Sequence, residues 1–164
     1  MAGYPLQGLK EIRERRLNDC TNARILKAKQ LEQARMELKS KKKALDDYIA
    51  WRTEEEKRRY ARLMQGRYPV SEIQKFNASI KQLYTDELTY QEAVHKAEKQ
   101  VQEAERIFQE AQDLERQSRK KLKKLENHEE IWLFNERVLQ ERLADQELED
   151  FRVNPDTGMS GDRA

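Results

Sequence analysis

Two long stretches of the chain repeat their apolar residues at alternating steps of three and four, the spacing of a helix that packs along one stripe. The second stretch is the more regular. From Ile73 the steps reach Phe76, Ile80, Leu83, Glu87, Tyr90, Val94, Ala97, Val101, Ala104, Phe108 and Ala111. The same register continues through Glu115, Ser118, Leu122, Leu125, Glu129, Trp132, Glu136, Leu139, Leu143 and Gln146. A seven-residue repeat held this long predicts a left-handed coiled coil. In the first stretch Leu31, Ala34, Leu38, Lys41, Leu45 and Tyr48 keep the spacing, while Leu9, Ile12, Cys20, Ala23 and Ala28 drift off it, which predicts a stutter near the N-terminus.

The structure breakers divide these stretches. All five Gly and three Pro of the 164 residues fall in three places: Gly3, Pro5 and Gly8; Gly66 and Pro69; Pro155, Gly158 and Gly161. Chains rich in strands, or alternating strand and helix, need turns far more often. The fold class is therefore all-α, an antiparallel two-helix coiled-coil hairpin forming one domain over residues 1–151. Helix 1 covers about 6–64, a turn 65–71 and helix 2 about 72–151, with a disordered tail over 152–164. Gly66 suits a left-handed helix end, Pro69 stops continuation, and Ser71 with Gln74 fits a capping box. Facing residues of a hairpin have a constant sum of numbers. A sum of 135 pairs Leu31 with Ala104, Ala34 with Val101, Leu38 with Ala97 and Leu45 with Tyr90, and faces Tyr48 with Glu87. At about 1.5 Å per residue helix 2 outruns helix 1, so an overhang is expected from about residue 130.

Composition narrows the function. One cysteine, Cys20, leaves no disulfide framework and no thiolate zinc cluster, and fits a reducing, cytoplasmic setting. The longest apolar run, Ile131–Phe134, is far below a membrane span, so direct membrane insertion is not expected. His95 and His128 lie far apart along one helix with no second ligand near, and each reads as a solvated position. With no phosphate-cradling glycine loop and no concave pocket on two helices, no enzyme activity, metal or cofactor is expected. Net charge is +2, yet residues 1–65 carry 17 basic and 10 acidic side chains while residues 66–164 carry 16 and 21. Halves of opposite sign suit helices that pair with each other better than a nucleic-acid surface.

Three surface features follow. Arg13, Arg15 and Arg16 face Arg119, Lys120, Lys121, Lys123 and Lys124 as a basic collar, either solvated or matched to an acidic partner. Residues 126–151 hold nine carboxylates around Trp132 and Phe134, which either bind a partner or pack on Tyr4, Pro5 and Leu6 folded back. Trp51, Tyr60 and Tyr84 fall off the seam near the turn and are expected to be partly exposed, as interface anchors often are.

The opening Tyr4-Pro5-Leu6 with Leu9, Ile12 and a basic run, Leu45-Asp46-Asp47-Tyr48, and Ile73-Gln74-Lys75-Phe76 with Ile80 and Leu83 resemble the YscO/FliJ family of type III secretion proteins, the YscO branch above all. The resemblance implies a hairpin similar to the gamma-subunit stalk of rotary ATPases. Its termini would enter a hexameric secretion ATPase, through the collar residues with Trp132 and Phe134. Its tip half would reach the cytoplasmic domain of the export gate and bind secretion chaperones, with Trp51 and Tyr84 beside the matched positions Leu45, Tyr48, Phe76, Ile80 and Leu83. Arg52 and Glu87 depart from the flagellar gate-contact pattern, which has a tyrosine and a histidine there. The implied protein is a monomer, cytoplasmic and peripheral to the secretion apparatus at the inner membrane. The alternative from the residues alone is a dimeric structural or adaptor coiled coil, with Gly66–Pro69 as an open joint.

Overall fold

A computed structural model of the chain describes residues 3–153. It contains two helices, α1 (Gln7–Met64) and α2 (Val70–Val153), and no strand among the described residues. Arg152 and Val153, assigned to the tail from sequence, close α2, and the rest of that tail lies outside the described residues. The chain divides into two compact units. A terminal unit joins residues up to Asp19 with those from Glu115 onward, and a turn unit comprises Cys20–Leu114.

In the turn unit the two helices run antiparallel and close on each other beside the turn. The Tyr60 ring meets Phe76 edge-on at 5.1 Å, and Arg59 donates from Nη1 to the Ser79 carbonyl at 3.4 Å. These contacts belong to a closed hairpin, not to an open joint between two chains. In the terminal unit the start of α1 lies antiparallel on α2, with Arg13 Nη1 donating to the Lys121 carbonyl at 2.9 Å.

The seam of α2 is the one read from the sequence. Its buried residues are Ile80, Leu83, Ala97, Val101, Ala111, Glu115, Leu122 and Leu125, and every one sits on the three-four repeat. The α1 seam departs from expectation, because there is no stutter. Buried or half-buried positions run at Lys10, Arg13, Leu17, Cys20, Arg24, Lys27, Leu31, Ala34 and Leu38, then at Leu45, Tyr48, Arg52, Glu55 and Arg59, a single seven-residue repeat. Long basic side chains fill core-facing positions with their aliphatic stems. Leu9, Ile12, Ile25 and Leu26 point outward instead.

The turn also differs in detail. Gly66 does not take left-handed backbone; its missing Cβ makes room for the Tyr68 ring, whose Cε2 would lie 3.0 Å from that atom. α2 begins two residues earlier than the capping-box reading requires. The Pro69 carbonyl accepts from the Glu72 and Ile73 N–H groups at 3.0 and 3.2 Å, so Ser71 lies inside the first turn.

Candidate partner-binding surfaces

The start of the chain is fastened to α2 in the terminal unit. Tyr4 is buried, its hydroxyl hydrogen-bonded to His128 Nδ1 at 2.6 Å, and its ring lies 5.8 Å from His128 and edge-on to Trp132 at 5.7 Å. One turn along, Lys10 Nζ meets Glu129 Oε2 at 2.7 Å, and the hydrogen bond to that carboxylate raises the lysine pKa above its ordinary value. Two sequence expectations resolve here. Trp132 is committed to Tyr4, whereas Phe134 stays exposed at 62%. His128 is solvent-accessible but not merely solvated, since it anchors the tyrosine.

The basic collar is partly consumed by the fold. Arg13 is half-buried on the Lys121 carbonyl, and Arg119 pairs with the buried carboxylate of Glu115 at 2.8 Å. Arg15, Arg16, Lys120, Lys121, Lys123 and Lys124 remain exposed, with no ion-pair partner among the described residues. Beyond Val138 no other described residue covers α2: every residue from Leu139 to Val153 is exposed, including Leu143, Leu148 and Phe151.

In the turn unit the aromatics form a connected set. Tyr48 stacks on Tyr90 at 4.6 Å and 18°, not opposite Glu87 as the summed register has it, and its hydroxyl donates to the Leu83 carbonyl at 2.6 Å. Burial, followed by the Asp86 carboxylate, raises the Tyr48 pKa. One turn on, Arg52 Nε lies 3.0 Å from Glu87 and Nη1 3.2 Å from Glu56, with the guanidinium 4.5 Å above the Tyr84 ring. Arg52 Nε is buried and poorly aligned for a hydrogen bond despite that short distance. The Tyr84 hydroxyl donates to Glu56 at 3.0 Å, which raises the tyrosine pKa.

Residue by residue, the tip candidates separate. Ile80 and Leu83 are buried against α1, and Leu45, Tyr48 and Phe76 are half-buried in the same seam, so none offers a whole side chain outward. Trp51, Tyr60 and Tyr84 are exposed at 47%, 43% and 45%, as expected from their positions off the seam. Sequence reasoning missed the Arg52–Glu87 pair and the Tyr4–His128 contact. The signal for the first was opposite charges at two seam positions; the second lacks a repeat that could reveal it. Among the described residues no group of three or more His, Cys, Asp or Glu is placed to hold a metal ion, and no helix is long and apolar enough to cross a membrane.

The chain is thus an all-helical hairpin whose exposed charge and aromatic clusters lie on the helix surfaces. The chain belongs to the YscO family of type III secretion proteins, whose family model matches residues 6–154. The fold is shared with the crystal structure of YscO from Vibrio parahaemolyticus, at 21% identity and a TM-score of 0.79 over 89% of this chain and 92% of that one. A Chlamydia trachomatis protein described as a YscO homolog matches at 22% identity and a TM-score of 0.75, over 93% of each chain. No curated protein matches the sequence.

Proposed function

We infer that the chain is a non-catalytic central stalk of a type III secretion apparatus, linking a hexameric secretion ATPase to the export gate on the cytoplasmic side of the inner membrane. In this reading the terminal unit meets the ATPase and raises its hydrolysis rate. Exposed Trp51 and Tyr84 of the turn unit serve the gate or an export chaperone. The observation that carries it is the last fifteen described residues of α2: a helix with Leu139, Leu143, Leu148 and Phe151 exposed and uncovered by any other described residue. Apolar side chains on an uncovered helix favour a protein partner. Six unpaired cations in the same unit supply long-range attraction to that partner.

The purified chain added to the cognate ATPase is expected to raise its hydrolysis rate and to co-migrate with it at low salt. Reversing Arg15, Arg16, Lys121 and Lys123 to Glu is expected to weaken that binding at least about tenfold, whereas Arg13→Glu chiefly disturbs the helix pair. No rise in hydrolysis and no co-migration overturn the reading.

A further inference from the structure

The outward face of α2 in the terminal unit carries a second pattern, on the side away from the seam. Lys120 and Lys124 are four residues apart, and so are Glu141 and Asp145. Between them stand Ile131 and Phe134, exposed at 61% and 62%. On a helix these six fall along one face, because each step is close to a whole number of turns. All four charged residues are exposed, with no ion-pair partner among the described residues.

The order along the face is basic, apolar, acidic, with equal spacing on both sides, and Asn127 and Val138 complete the stripe between them. A helix so arranged is complementary to itself when reversed. Turned end for end about a point between Trp132 and Leu133, Lys120 meets Asp145, Lys124 meets Glu141 and Ile131 meets Phe134; each pair of numbers sums to 265. We propose that two copies of the chain associate antiparallel through this face, with each of those contacts made twice about a two-fold axis. This is an isologous interface, in which one patch serves both partners. A parallel pairing of the same face sets lysine on lysine and carboxylate on carboxylate, so the charge order selects the antiparallel one. With one apolar pair on each side of the axis and exposed ion pairs beyond it, the interface is of the weak, reversible kind. The proposal does not depend on the stalk reading, and its test uses different residues.

Sedimentation velocity of the full chain tests it. At low salt the mass is expected to rise with concentration from 19.6 kDa toward twice that value, and to return to the monomer value at high salt. Lys120→Glu with Lys124→Glu is expected to weaken association at least about tenfold, and Glu141→Lys with Asp145→Lys to do the same. An equimolar mixture of these two variants is expected to form a mixed dimer, since each then meets opposite charge on the other. That rescue also shows that both variants remain folded. A constant monomer mass at every concentration overturns the proposal, as does a dimer indifferent to the reversals or a mixture that stays monomeric. Dimers persisting unchanged in both variants assign the contact to another surface.

Discussion

Tyr48 shows how much of this fold depends on single side chains. A seam of Ala, Lys and Arg buries little apolar surface per residue, so the stacked pair Tyr48–Tyr90 and the hydroxyl bond to Leu83 weigh heavily in the turn unit. Tyr48→Phe keeps the stack and loses the hydrogen bond, at a cost of about 1 kcal/mol, or a fall in Tm of about 2–4 °C by circular dichroism. The same residue sets a pH limit. The Tyr48 and Tyr84 pKa values are raised from an ordinary 10.0, so folding favours the protonated phenols. Their contribution is complete below about pH 10 and is lost as pH rises through the folded-state values. Thermal stability is therefore expected to fall above that pH, less steeply in Tyr48→Phe.

At the scale of the element, the two helices differ in how far sequence pattern reveals them. α2 was legible because its seam is written in Ile, Leu, Val and Ala, and between Ile80 and Leu125 the structure buries or half-buries those positions. The N-terminal third of α1 was not, because Lys10, Arg13, Arg24 and Lys27 hold its seam positions, while Leu9, Ile12, Ile25 and Leu26 face solvent. Counting apolar residues through Leu9, Ile12, Cys20, Ala23 and Ala28 yields a stutter that does not exist. The burial of a lysine stem depends on what lies across from it, which one helix's pattern does not contain. At the connection, Gly66 was read as a left-handed cap, yet it serves the close approach of Tyr68. Gly66→Ala is thus expected to shift stability by no more than about 0.5 kcal/mol in a denaturant titration, with the exposed Tyr68 ring moving aside. A loss of several times that size refutes this account of the turn.

For the molecule as a whole, the hairpin and both charged clusters could be read from the chain, but which residues of each cluster the fold itself uses could not. Arg13 and Trp132 turned inward and Arg119, though exposed, is taken up by Glu115; Lys120, Lys124 and Phe134 stayed free of such contacts. Truncation after Val138 separates structure from recognition. All the described residues it removes, Leu139–Val153, are exposed, so the thermal transition of the remainder is expected to stay within about 1 kcal/mol of the full chain. ATPase stimulation and self-association are expected to be lost together, since Glu141 and Asp145 go with the uncovered end. A truncated chain that melts much earlier places unrecognised packing in Leu139–Val153.

That uncovered end has a consequence for time as well as for affinity. Among the described residues no neighbouring helix shelters its backbone hydrogen bonds, and fifteen residues alone are near the shortest length at which a helix persists in water. Amide protons there are expected to exchange with solvent faster than those beside Leu122 and Leu125, which hydrogen–deuterium exchange would read. Were a partner to capture this end, as the proposed stalk role requires, binding would carry an ordering cost that shortens the lifetime of the complex.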